Sequence, residues 1–171
     1  MDFWRQIDIL PPSKLESLKV TLIGAGGIGS MTGIVLAKMG IPCFIIYDDD
    51  KVEIHNLPNT MYEHNETGSF KAQALCSAIN KYGQARHTSF EKHFDGEDGY
   101  TPVMISGVDS MKSRVDIWQK VKFNTRVNLY IDGRMGGQTG IVYAVNPCVP
   151  SDIKRYEETL YFTDEEAVQE A

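Results

Sequence analysis

Short apolar runs alternate along the chain with stretches whose apolar positions recur at helical spacing. Residues 20–23 form the first run and meet a glycine cluster, Gly24-Ala25-Gly26-Gly27-Ile28-Gly29. The spacing behind it predicts a helix with Ile28, Met31, Val35, Leu36 and Met39 near one face. A second apolar strand over 43–47 then ends in Asp48. Strand, tight turn, helix, strand and acid, in that order, is the layout of a nucleotide-binding βαβ unit.

Ahead of this unit, residues 2–18 read as two short helices separated by Pro11-Pro12. After it, Pro58 and Gly68 forbid a long helix across the polar stretch 48–68. A loop of that length after a strand is usually functional. Helical spacing returns over 70–82, with Phe70, Ala74, Leu75, Ala78 and Ile79 inward. The rest reads as a strand over 87–94, a buried strand over 103–107, a helix over 110–123 and another buried strand over 127–131. Met111, Val115, Trp118 and Val121 face inward from that helix. A turn over 132–137 leads into a strand over 140–145. The alternation predicts an α/β fold: a Rossmann-like, doubly wound, mainly parallel sheet with helices on both faces. It is read as one domain over 1–171, with a helical arm at 1–18, a core at 19–147 and an acidic segment at 148–171. Within that segment Thr163-Asp164-Glu165-Glu166 reads as a capping box that starts a helix. Ala171 follows too soon for that helix to stand alone, as in a trimmed piece or a natural short form.

Length and composition narrow the field. A chain of 171 residues can bury a real core. No apolar run approaches the ~20 residues of a membrane span. Asp2, Arg5 and Asp8 interrupt the region where a signal peptide needs an apolar stretch, so a cytoplasmic location is expected. Of the net charge of −6, residues 151–171 supply −5 through seven acids and two bases. No basic patch suggests nucleic acid, and neither nucleic acid nor membrane is expected as a partner. Cys43, Cys76 and Cys148 form no CxxC pair, so no zinc is expected. Cys43 and Cys76 read as core residues and Cys148 as a loop thiol.

Several residues carry candidate chemistry. Gly24 allows a sharp turn off the strand, Gly26 lets a phosphate approach the backbone, and Gly29 lets the helix pack closely. The helix N-terminus offers unpaired N–H groups to an anion. Asp48 stands nineteen residues after Gly29, where a carboxylate can accept from ribose hydroxyls. Asp48-Asp49-Asp50 repel one another unless something cationic or hydroxylated is near, and Asp50 is read as serving the loop or the base. Lys71 opens a helix against its dipole, at a cost of about 0.3–1 kcal/mol that an anion would offset. Asp109 either caps the next helix, a role Ser110 can also fill, or binds a metal ion such as Mg²⁺. Arg114 could neutralise Asp109 or pair elsewhere.

The ordered motifs resemble the ubiquitin-activating-enzyme/ThiF/MoeB/HesA-type superfamily of ATP-dependent adenylyltransferases. The likeness is carried by FWRQIDIL, GAGGIGS, DDDKVEIHNLPN, Gly68-Ser69-Phe70-Lys71-Ala72, Val108-Asp109-Ser110 through Arg114, and Asp132-Gly133 with Gly137 and Gly140. The resemblance implies that a carboxylate attacks the α-phosphate of ATP, giving an acyl-adenylate and pyrophosphate. That carboxylate would be the C-terminal glycine of a ubiquitin-like or sulfur-carrier protein, or a peptide. It further implies that Gly24, Gly26 and Gly27 line the ATP and Asp48 holds the ribose. Asp50 and Asn56 would shape the nucleotide loop, Lys71 would contact the phosphates, and Asp109 would bind Mg²⁺. Arg5 would reach phosphate, often from the partner in a homodimer. Asn59 stands where the family has a loop arginine, followed by Thr60 in place of glutamine; Arg134 is a candidate substitute cation. The family's zinc pairs and its C-terminal catalytic cysteine have no counterpart, so adenylation without thioester formation is the expectation. Two alternatives remain: a non-catalytic nucleotide-binding or dimerisation module, and an NAD-binding oxidoreductase, since the glycine turn and Asp48 also suit NAD.

Overall fold

Six strands build one sheet in the order β3-β2-β1-β4-β5-β6, and the chain's apolar runs are its centre. The computed structural model describes residues 4–83 and 85–160. The strands are β1 (Lys19–Ile23), β2 (Cys43–Tyr47), β3 (Arg86–Phe90), β4 (Val103–Ser106), β5 (Leu129–Gly136) and β6 (Thr139–Val145). All neighbours are parallel except β5 and β6, which form an antiparallel hairpin. Among the described residues the α-helices are α1 (Gly27–Met39), α2 (Lys71–Tyr82), α3 (Met111–Val121) and α4 (Pro150–Glu157).

Alternation along the strands feeds two cores. Val20, Leu22, Phe44 and Ile46 pack with Ile34 and Ala37 of α1 and with Leu75, Ala78 and Ile79 of α2. Ile23, Tyr47, Met104 and Tyr130 pack on the other face with Ile117, Trp118 and Val121 of α3 and with Ile153 and Tyr156 of α4. Burial of both faces explains why these strands read as apolar runs rather than as alternating ones. The 91–102 connection between β3 and β4 contains no helix or strand. It lies against the second core through Phe94 and Tyr100. Buried Thr21 holds it to β1, donating to the Gly99 carbonyl and meeting the Thr101 hydroxyl at 2.9 Å.

Several expectations are corrected. The inward face of α1 is Gly29, Ser30, Gly33, Ile34 and Ala37, whereas Met31 and Val35 are exposed. Small residues let this helix approach closely: a Cβ on Gly33 would lie 3.1–3.3 Å from Leu22 and Leu75. Residues 132–136 continue β5 as strand, and the reversal falls at Gly137, φ +56°. Gly133 is a packing glycine there, since a Cβ would meet Ile28 at 3.1 Å. Val115 is only half-buried on α3, while Arg114 and Ile117 are buried. The N-terminal arm forms 3-10 turns at Trp4–Gln6 and Pro12–Lys14. The polar loop holds two more, at Ile54–Asn59 and His64–Glu66. Helix α4 was not anticipated, and it ties the start of the acidic segment into the second core. The capping box at Thr163 lies outside the described residues. Among the described residues no helix is long and apolar enough to cross a membrane.

The turn after β1 is sterically closed at one glycine and open at another. A Cβ on Gly29 would fall 1.9 Å from the Gly24 carbonyl oxygen, while one on Gly26 would meet nothing within 4 Å. Gly29→Ala is therefore expected to cost about 3 kcal/mol, lowering the thermal midpoint by roughly 10 °C. Gly26→Ala should leave the midpoint within about 2 °C. Equal midpoints for the two variants would contradict the packing read here.

Candidate nucleotide site

The strand register brings three loops to one edge. Ile23 pairs with Tyr47 on one side and with Ser106 on the other, so Gly24, Asp48 and Gly107 leave the sheet together. Backbone bonds fix that alignment: Gly24 N–H donates to the Tyr47 carbonyl at 2.8 Å, and Gly107 N–H to that of Ile23 at 2.9 Å. This is where the connections run to opposite faces of the sheet, the usual place for a ligand in an open α/β sheet. A crevice of about 720 Å³ opens there, a volume suited to a nucleotide-sized ligand.

Gly24, Gly26, Gly27, Asp48, Asp50, Lys71 and Asp109 all line the crevice, so it gathers most of the residues singled out in the sequence. Gly24 needs its φ of +89° to make the turn. The Asp48 carboxylate accepts from the Ala25 N–H at 2.6 Å and from the Asp50 N–H at 2.9 Å. Burial raises its pKa above the ordinary aspartate value, and those two amides and Lys71 oppose the rise. Beside it, burial and the acids Asp95, Asp98 and Glu97 push the Tyr47 phenol up to about 12. Lys71 is buried, with Nζ 2.8 Å from Asp50. The cost of a lysine at the start of α2 is thus met partly within the chain. Tyr62 ties this region together, donating to the carbonyls of Ala25 and Lys71.

The alternatives left open at Asp109 now separate. Ser110 is the N-cap of α3, its Oγ accepting from the Ser113 N–H at 3.2 Å. The Asp109 carboxylate is exposed at the crevice, with no hydrogen bond or ion pair among the described residues. Arg114 pairs elsewhere: its Nε lies 3.3 Å from Asp132, and its guanidinium donates to the carbonyls of Val108 and Asp109. Arg114 therefore holds the backbone of the turn that presents Asp109. Asp132 is fully buried and also accepts from Arg134 at 2.7 Å and from the Tyr156 hydroxyl at 3.0 Å.

Other expected residues lie away from the crevice. Gly29 is packed inside the turn. Asn56 accepts from the Glu53 N–H and shapes the 54–59 turn, and the Asn59 carbonyl covers Gly27. Arg5 sits on the arm that Gln6 fastens to the Met39 carbonyl. That is the far end of α1, roughly 18 Å from the glycine turn. Within one chain Arg5 does not reach the crevice. Arg134 is held by Asp132 and Thr159 and stacks over Tyr143. It is not a substitute cation at the crevice. Cys148 is exposed in the turn before α4.

Lining residues the sequence reading missed come from two places. Lys92, His93 and Phe94 belong to the 91–102 connection, whose position depends on contacts distant in sequence. Lys112, Asp116 and Lys120 form a stripe at spacing four on α3, a signal present in the sequence.

Comparison with known proteins bears on family and fold. The sequence model of the ThiF family matches residues 4–167. Ubiquitin-like modifier-activating enzyme 5 of Aedes aegypti is 28% identical over 123 residues, covering 61% of this chain and 31% of that protein. The chain spans a third or less of the length of the curated relatives it matches. Among solved structures, E. coli tRNA N6-threonylcarbamoyladenosine dehydratase, TcdA, in complex with ATP superposes with a TM-score of 0.70 at 21% identity. The match covers 81% of this chain and 63% of TcdA. E. coli MccB with ATP gives 0.62 at 21% identity, over 74% and 39%. At these identities the structural likeness is one of fold.

The contrast between Asp132 and Asp109 yields a stability prediction. Asp132→Ala leaves two arginines without their shared carboxylate and should cost about 3–5 kcal/mol in urea unfolding. Asp109→Ala should stay within about 0.5 kcal/mol of wild type. A large loss for Asp109→Ala would mean that its carboxylate supports the fold.

Proposed function

The chain belongs to the ThiF family, and from that premise we propose that it activates a carboxylate by adenylyl transfer from ATP. One observation carries the reading. A glycine turn with open space before Gly26, the ribose-type acid Asp48, buried Lys71 and the unpaired Asp109 all line one crevice. They come from the connections after three strands, β1, β2 and β4, with Lys71 opening the helix that follows β2.

In the proposed reaction an acceptor carboxylate oxygen bonds to the α-phosphorus of ATP. The bond from that phosphorus to the bridging oxygen breaks, and pyrophosphate departs with its electron pair. The chain's part is positioning and neutralisation. Backbone N–H groups at the start of α1 would face the phosphates. Asp48 would accept from the ribose hydroxyls with the lone pairs that Ala25 and Asp50 leave free. Lys71 would share its charge between Asp50 and the phosphates. Among the described residues no group of three or more His, Cys, Asp or Glu stands ready to hold a metal. The donor set thus suits a Mg²⁺ ion held by Asp109 together with nucleotide phosphates and water, rather than by a protein cage. When bound, that ion would supply neutralisation of the triphosphate charge. The acceptor is read as the C-terminal carboxylate of a ubiquitin-like or sulfur-carrier protein, or of a peptide. A homodimer is part of the proposal, because Arg5 could meet a phosphate only from a second copy. The second reading is a nucleotide-binding module without transfer, favoured by Asn59 at the family's arginine position.

Two measurements test this reading. ATP with Mg²⁺ at a hundredfold excess over Kd should raise the thermal midpoint by roughly 5 °C or more, and Asp109→Ala should abolish most of that rise. Pyrophosphate exchange with carboxylate acceptors then separates transfer from binding alone. A midpoint raised by NAD and not by ATP would end the adenylation reading. The pH dependence of adenosine binding, free of titrating phosphates, reports on Asp48. Its folded pKa is raised, so protonation removes the acceptor as pH falls, starting above the range of an ordinary aspartate. Affinity should decline on that side and stay level toward neutrality. By linkage, the same shift favours folding below the unfolded pKa and is lost as pH rises through the folded value. A flat affinity profile through the mid-acid range would remove Asp48 from the ribose site.

A further inference from the structure

We infer that Lys112 is a second phosphate-facing cation of the crevice, beside Lys71, standing in for the arginine that Asn59 replaces. The inference rests on the adenylyl-transfer reading and adds a residue to it. Four lysines and one histidine line the crevice, and all but one are engaged. Lys71 is paired with Asp50 at 2.8 Å and Lys92 with Asp95. His93 lies 3.1 Å from Asp49. Lys120 donates to the Phe94 carbonyl at 2.8 Å, which holds the 91–102 connection against α3. Lys112 alone has no hydrogen bond or ion pair among the described residues.

Its place on α3 is unfavourable in the empty protein. Lys112 sits in the first turn, where a cation opposes the helix dipole, and that turn contains no acid. The acid on its own face is Asp116, four residues on, in the weaker orientation for a lysine–carboxylate pair. An anion lying between Gly26 and Asp109 would reverse this balance. The crevice needs the charge, since five carboxylates (Asp48, Asp49, Asp50, Asp109 and Asp116) outnumber its four lysines before any triphosphate enters. The other basic candidate, Arg134, is occupied by Asp132 and Thr159. Lys112 lies three residues after Asp109, so the turn that presents the carboxylate also delivers the cation. Its ammonium would neutralise charge on the phosphates as pyrophosphate leaves.

The test uses Lys112→Met and Lys112→Arg in the full chain. Calorimetry gives Kd for ATP with Mg²⁺ and for adenosine, and the thermal midpoint of each protein is recorded. Lys112→Met should weaken ATP roughly tenfold, the loss of one charge-assisted contact. Adenosine affinity and the midpoint should not change. Lys112→Arg should return ATP affinity to within about twofold. Unchanged ATP affinity in Lys112→Met overturns the inference, and so does an equal loss for adenosine, which has no phosphate. A wild-type chain that binds no ATP overturns both this inference and the reading beneath it. Wild-type ATP binding with an indifferent Lys112→Met removes Lys112 alone.

Discussion

The carbonyl oxygen of Gly24 occupies the space that a side chain at position 29 would need. The site depends on that close approach. It sets the start of α1 directly over the end of β1, so the helix's unpaired N–H groups open into the crevice instead of onto the sheet. Two further ties hold the turn once formed. Asp48 accepts from Ala25, coupling the turn to the end of β2. Tyr62 donates to Ala25 and Lys71, coupling it to the start of α2. A bulkier residue at 29 would push the Gly24 carbonyl aside and displace the turn from which both ties run.

The opposite wall is built by a different interaction. Asp132 is fully buried between Arg114 and Arg134 and accepts from Tyr156. The charges are partners in one network that satisfies each of them, the condition under which buried ions are tolerated. This network joins β5, α3 and α4, and through Arg114 it grips the carbonyls of Val108 and Asp109. The crevice therefore has one wall set by steric exclusion and one set by electrostatics. Its floor is the register that brings the ends of β1, β2 and β4 level.

What the sequence disclosed follows the range of the interaction responsible. The apolar strands and the glycine turn were legible from local pattern, and the positions of Asp48, Lys71 and Asp109 because each sits beside a local marker, the end of an apolar run or the start of a helix. The inward face of α1 was misread because large side chains were taken as the packing residues. Gly29, Ser30, Gly33 and Ala37 do the packing, while Met31 and Val35 stay exposed. Helix α4 left little trace because its buried side chains are chiefly Ile153 and Tyr156, and Tyr156 is fixed by contact with Trp118 and Tyr130 far back in the chain. Gly133 was read as a turn glycine for a similar reason: its neighbour, Ile28, is remote in sequence. The part played by the 91–102 connection rests on Thr21, which sequence spacing does not link to it.

The charges around the crevice divide by burial, and the division bears on how it could work. Lys71, Arg114 and Asp132 are buried, and each has its counter-charge within the chain. An unpaired charge in those positions would cost several kcal/mol of desolvation, so the fold must satisfy them before any ligand arrives. Asp109 and Lys112 are exposed, and water solvates them at little cost while the crevice is empty. A ligand that displaces that water must supply matching charge of both signs within a short distance. A phosphate chain bearing a cation does so; an uncharged or apolar molecule does not. The frame is held by satisfied charges and the exposed ones are kept at the mouth, so charges left for a ligand do not weaken the fold.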